Sequence, residues 1–184
     1  MGVINDSPRK QMFQGPLKQT NGALDLAISG LGFLTLASPN NTENRFYTRD
    51  GSLGLSSNGE VINLQGLNLL AHPVVGDATY NPAIFEKVII QPNITDTLGN
   101  TRILTNVNVS SSGVLKAIYG LDEEVVIAKI PLTSFESMEA LQSEGNNLFT
   151  PTTKSGEPIV GIALERNMGE IIPGFLEGSN VEIT

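Results

Sequence analysis

The chain has 184 residues, 40% of them apolar, a mean hydropathy near zero and a formal net charge of −8. That length supports one good core, or one core with a small annex. Eleven scattered Lys and Arg argue against a nucleic-acid or anionic-membrane surface, and zero cysteines exclude disulfides, thiolate metal sites and a Cys nucleophile.

Nineteen Gly and ten Pro are spread along the chain, which favours many turns and short strands. No stretch approaches the roughly 20 apolar residues of a membrane span. Residues 1–22 are polar and irregular, and Pro8, Gly15 and Pro16 forbid a continuous helix. An extended lead-in is expected, with Met12, Phe13 and Leu17 against the core edge. The polar start shows no cleaved signal peptide. The expectation is therefore a cytoplasmic protein, one exported without such a signal, or a segment of a longer chain.

Residues 25–70 carry the strongest pattern. Leu24, Leu26 and Ile28 alternate with Ala23, Asp25 and Ala27, which is strand-like. Gly30-Leu31-Gly32 is a break between strands; it has neither the third glycine nor the following helix of a phosphate loop. Phe33–Leu36 is a second strand and residues 38–44 an exposed loop. In Arg45–Arg49, Phe46 and Thr48 share one face and Tyr47 takes the other. Asp50-Gly51, Asn58-Gly59 and Gln65-Gly66 separate strand-like runs and supply the positive φ angles of tight hairpins. The stretch reads as one β-meander.

Residues 72–101 are less regular and read as an insertion or small annex, with a strand at Val88–Ile90 and anchors at Tyr80, Ile84 and Phe85. Residues 1–71 and 102–184 together form the expected main β domain. Within it, Ile103, Thr105, Val107 and Val109 share one face of a strand, and two further strands follow across turns. Residues 133–142 predict a short helix: Thr133 and Glu136 make a capping box, and Phe135, Met138 and Leu141 form an apolar stripe. Short strands complete the chain. The fold class is mainly β, a hairpin-rich, meander or sandwich-like core with one short helix.

Catalytic chemistry is sparse. His72 is the only histidine and reads as a surface or edge residue. Asp122, Glu123 and Glu124 read as a solvated turn. No cofactor or metal site is expected, and a binding module for glycan or protein is the alternative of another class.

Two blocks then point to one family. The first is Gln14-Gly15-Pro16-Leu17, Asp25-Leu26-Ala27-Ile28, Gly30, Gly32-Phe33, Tyr47-Thr48-Arg49-Asp50-Gly51-Ser52-Leu53, Asn58-Gly59 and Gly66. The second is Gly145-Asn146-Asn147-Leu148-Phe149, Ser155-Gly156-Glu157-Pro158, Gly174 and Leu176-Glu177-Gly178-Ser179-Asn180-Val181. Together they resemble the bacterial flagellar axial proteins of the rod and hook, over most of the chain outside about 72–101.

The resemblance implies a subunit that polymerises into a helical tube with itself and other axial proteins. It also implies export by the flagellar pathway and residence in the basal-body rod or the hook. The modest stretch between the two blocks leans toward a rod subunit, distal over proximal. Family members have terminal helices that coil together, and this sequence shows neither. It is expected to be the core of a longer chain and monomeric by itself, with loops 38–44 and 72–100 as candidate contact surfaces.

Overall fold

The computed structural model describes residues 14–75 and 79–178. Strands β1 (Leu17–Gln19) and β2 (Asp25–Ser29) lead to a bend at Gly30-Leu31-Gly32 and a hairpin of β3 (Leu34–Ser38) and β4 (Asn41–Thr48). Then come β5 (Gly51–Ser52), β6 (Gly54–Leu55), β7 (Val61–Ile62) and β8 (Asn68–Val75). The middle third holds β9 (Thr79–Tyr80), β10 (Glu86–Lys87), β11 (Asn93–Thr95), β12 (Thr101–Val109), β13 (Val114–Tyr119) and β14 (Glu123–Lys129). After β15 (Pro131–Ser134) and a 3-10 turn at Met138–Ala140 follow β16 (Gln142–Gly145), β17 (Leu148–Thr150), β18 (Ile159–Ile162), β19 (Glu170–Pro173) and β20 (Phe175–Glu177). The protein is mainly β, as its turn chemistry predicts.

The largest sheet runs β11-β12-β13-β14-β8-β3-β4-β17-β16, and β7, β9 and β10 also pair with β8. β8 is its hub. It joins the β3-β4 hairpin through Leu36↔Leu69 and the β12-β13-β14 meander through Lys129↔His72. Three small sheets complete the fold: β1-β20, β15-β18 and β19-β2-β5.

Period-two alternation sorts side chains between two faces. On β13, Leu115, Ala117 and Tyr119 point inward to the main core, where Leu26, Ile28, Leu34, Leu36 and Ile130 are also buried. Each such aliphatic contributes roughly 1.5–3 kcal/mol by leaving water. Val88 and Ile90 lie in the same core. A second cluster gathers Phe33, Tyr47, Phe135 and Leu141, with Met138 and Phe149 against it. Its rings meet edge to face, Tyr47 and Phe135 at 5.0 Å and Phe33 and Phe135 at 6.2 Å. Phe46 packs on the main core and Tyr47 in the second cluster, the division that alternation along β4 requires.

The structure departs from the sequence reading in several places. The strand expected at Val88–Ile90 forms instead at Glu86–Lys87, Ile89 making only an isolated bridge to Glu60. Leu17 is exposed rather than packed on the core edge, and Met12 and Phe13 lie outside the described residues. The helix at 133–142 is absent apart from the 3-10 turn. Thr133 is strand, bonded to Phe33 in both directions and paired to Val160, and the turn has no side-chain cap. The apolar stripe is real, but it serves a tertiary aromatic cluster that overrides helix propensity. Residues 25–70 are not one meander, because β2 and β5 join β19 in a separate sheet. The loop at 38–44 shrinks to a turn at Pro39-Asn40, with exposed Asn41 already in β4.

On β12 a bulge between Leu104 and Asn106 shifts the alternation. Leu104 packs on the core, whereas Ile103 is exposed. Gly51 does not take a positive φ; it sits in β5, where a Cβ would lie 1.9 Å from the Leu26 carbonyl oxygen. Gly59 and Gly66 do, at 79° and 78°. Finally, His72 is fully buried, stacked on Tyr80 and edge-on to Phe85. Its Nδ1 lies 2.9 Å from the Ile84 carbonyl and its Nε2 has no partner. The reading of His72 as a surface residue missed that the chain after Pro73 folds back over β8.

Candidate functional site

The two ends of the described chain meet. β1 runs antiparallel to β20, with Leu17 opposite Glu177 and Gln19 opposite Phe175. Gly178 N–H donates to the Pro16 carbonyl at 2.7 Å, and Thr20 N–H donates to the Gly174 carbonyl at 2.8 Å. Pro16 and Gly178 therefore stand side by side at one edge of the body.

Arg49 braces this junction. It stands in the bend between β4 and β5, which aims it at the bend between β2 and β3. Its Nη1 donates to the carbonyls of Gly30 at 2.8 Å and Gly32 at 2.9 Å, and its Nη2 donates to Ile28 at 2.9 Å. Its Nε donates to Glu177 Oε2 at 2.9 Å. The other carboxylate oxygen of Glu177 accepts from Gly15 N–H at 2.7 Å. Gln14 Oε1 accepts from Gly30 N–H at 2.8 Å and from Arg49 Nη2 at 3.3 Å. The ion-paired side chains are 13% and 8% exposed, so solvent screens them little. A planar five-donor fork is the side chain suited to several fixed acceptors at once.

The bend itself needs its glycines. Gly32 has φ +133°, and a Cβ there would lie 2.9 Å from Leu132 Cβ. The carbonyls on either side of Leu31 are thereby turned toward one guanidinium.

The other motif residues divide clearly. Thr48 and Asp50 shape the bend that carries Arg49: Asp50 N–H donates to Thr48 Oγ1, and Ser52 donates to Asp50 Oδ1 from both its N–H and its hydroxyl. Thr48 Oγ1 donates to the Asn147 carbonyl at 2.8 Å, tying the bend to the turn before β17. Asp25 holds the other side of the junction, accepting Thr20 Oγ1 at 2.7 Å and, at its carbonyl, Gly174 N–H at 2.8 Å. Gly51 pairs with Leu26. Tyr47 belongs to the aromatic cluster, and its burial pushes the phenol pKa above 10.0. Asn58-Gly59 turns against Ile90, and Gly156 sits by Glu136. Ser179 and Asn180 lie outside the described residues.

The structure thus brings Gly30, Gly32 and Arg49 into one network, with Asp25, Thr48, Asp50 and Gly51 beside it. It leaves Tyr47, Asn58, Gly59 and Gly156 as packing and turn residues elsewhere. Gln14 and Glu177 were seen only as parts of the two blocks. The available signal for their role was an acidic residue in the second block facing the one arginine of the first.

What this arrangement offers is mechanical. A closed strand pair, a charged brace and an apolar core hold the two chain ends in one fixed direction. Comparison with known proteins agrees. Residues 27–117 match the family described as the flagellar hook protein FlgE/F/G D1 domain. The chain belongs to the flagellar rod and hook axial family. Within that family it is similar over nearly its whole length to flagellar basal-body rod proteins FlgG. It is 32% identical to that of Borreliella burgdorferi over 171 residues, and 30% identical to that of Buchnera aphidicola subsp. Schizaphis graminum over 183. These alignments cover 92% and 99% of this chain, but 55% and 60% of the relatives, so the chain spans a little over half their length. The flagellar hook protein FlgE of Salmonella typhimurium is 32% identical over 81 residues, 44% of this chain and 20% of the relative.

Proposed function

We propose that this chain is the core of a structural subunit of the flagellar rod, of the distal-rod kind, which polymerises into a helical tube and transmits torque. The observation that carries the reading is the β1·β20 pair locked by Arg49 and Glu177. It delivers both chain ends to one place and fixes their direction relative to the body. A junction fixed in this way suits a part that passes torque, while the β core adds lateral contacts. A heterologous contact repeated by a screw operation makes an open polymer. Register-locked antiparallel strands suit such a part because they resist sliding.

In this reading the partners are further copies and other flagellar axial proteins, and export proceeds by the flagellar route without a cleaved signal. The motif residues act as pins of the fold and of the junction rather than as a reaction centre. Most assembly energy comes from outside the core, so the 184-residue chain is monomeric at micromolar concentration. Alignment with FlgG over nearly the whole chain favours rod over hook, whose aligned part is shorter.

The test is genetic and structural. Deleting the gene should abolish motility and leave basal bodies that stop short in the rod. A tagged copy should restore both and should be found by cryo-electron tomography in the distal rod. Basal bodies of full length in the deletion strain would rule the reading out.

A further inference from the structure

We infer that the hairpin tip at Leu121 seats in an apolar groove at the other end of a second copy of this chain, a head-to-tail contact within the polymer. This rests on the axial reading above. The groove, of about 440 Å³, lies between β18 and the loop after it, and Leu31, Ile159, Val160 and Met168 form its apolar wall. Ile159 is 52% exposed, although it lies on a strand paired on one side to β15. Arg166 and Glu165 also line it, and the Glu165 carboxylate acts on the Lys129 ammonium.

The loop is held in an uncommon shape. Leu164 and Arg166 have φ of 70° and 55°, the left-handed region that side chains avoid. Hydrogen bonds from Leu164 N–H to the Gly169 carbonyl and from Met168 N–H to the Glu165 carbonyl fix it there. Strain of this kind persists where the surroundings over-determine it, and it clusters at binding positions.

The counterpart is the turn between β13 and β14. Leu121 is 99% exposed and Asp122 follows it. Exposed Ile103 lies alongside, since Gly120 N–H donates to its carbonyl at 2.8 Å. Among the described residues neither Asp122 nor Arg166 has an ion-pair partner. The tip therefore offers an apolar knob beside an unpaired anion, and the groove an apolar wall beside an unpaired cation.

Placement decides between self-contact and contact with a copy. β13 separates the two features. At its start Ile171 N–H donates to the Ser111 carbonyl, which sets that end beside β19 and the groove loop. At its far end stands the tip, about 20 Å away for six extended residues. One chain cannot fill its own groove. A tip and a groove at opposite ends make a heterologous contact that repeats without closing.

The 184 residues hold no cysteine, so within them the introduced thiols are the only ones. Full-length chains carrying Leu121→Cys and Val160→Cys are co-expressed in flagellated cells lacking the parent gene, and isolated basal bodies are treated with a short bis-maleimide. The contact predicts a cross-linked dimer from the mixture and a ladder from the double variant. A control pair of Ser57→Cys with Val160→Cys, using an exposed turn residue, should give neither. Asp122→Arg should reduce incorporation, and Arg166→Asp in the same chain should restore it. Both subunits present in the basal body with no more dimer than the control, or no restoration by the second charge change, overturns the contact and leaves the axial reading standing. A chain absent from the flagellum overturns both.

Discussion

Replacing Arg49 by alanine strips five hydrogen bonds from the junction, the long one to Gln14 Oε1 among them. Glu177, with its side chain 8% exposed, loses its cation, and the carbonyls of Ile28, Gly30 and Gly32 lose their donor. Removing one partner of a buried ion pair costs about 3–5 kcal/mol. The carbonyl bonds, at roughly 1.5–3 kcal/mol each to a charged donor, do not simply add. Water reaches the bend once the side chain is gone, and Glu177 keeps the Gly15 N–H. The expected loss is therefore about 3–5 kcal/mol, a large part of the roughly 5–15 kcal/mol that holds a domain together. For a chain of this size each kcal/mol moves the melting temperature by about 2–4 °C, so the midpoint should fall by roughly 6–20 °C. Urea unfolding followed by circular dichroism measures this on the 184-residue chain. Arg49→Lys should recover little, because one ammonium cannot span the acceptors a planar fork reaches. In a double-mutant cycle with Glu177→Gln the coupling should be about 1–3 kcal/mol. An Arg49→Ala midpoint within about 1 kcal/mol of the parent, or simple additivity with Glu177→Gln, would refute the idea of a brace.

Gly51→Ala should destabilise by about 1–3 kcal/mol by overpacking, though φ there is not positive, because its Cβ would meet the Leu26 carbonyl; equal urea midpoints would contradict this. His72 gives a pH dependence of defined sign. Burial lowers its pKa below 6.5, with the Ile84 carbonyl opposing. Its stabilising contribution is thus present above about pH 6.5 and lost as the pH falls through the lowered folded value, at up to about 1.4 kcal/mol per pH unit. His72→Phe should flatten that slope between pH 7 and 5, and parallel pH profiles would show that the ring stays neutral for no structural reason. Sedimentation velocity of the 184-residue chain at micromolar concentration should show a monomer; a stable high-order oligomer would place the main assembly contacts inside the core.

The strands were legible because turn chemistry marks them. Asn58-Gly59 and Gln65-Gly66 sit where the structure takes positive φ, and alternation placed Tyr47 and Phe46 on opposite faces. What could not be read was non-local. Nothing local says that β2 leaves its neighbours to pair with β19, about 145 residues on in the chain. The stripe of Phe135, Met138 and Leu141 has helical spacing, yet the pairing of Thr133 with Val160 decides its backbone. One bulge at Thr105 was enough to turn Ile103 outward. The junction was half legible: both blocks were recognised, but only the folded chain shows Arg49 and Glu177 in contact, 128 positions apart.

The meeting of the chain ends also governs when the protein can finish folding. The bond from Gly15 N–H to Glu177 spans 162 positions, nearly the whole chain. Contacts of such separation form only after the loop between them is closed, and they slow folding. A chain emerging amino end first therefore cannot complete this pair until its last strand has emerged. Until then β1 has no partner, and Arg49 has only the bend to hold. The junction is thus the last part of the fold to close, an order of events written into the topology rather than into any single residue.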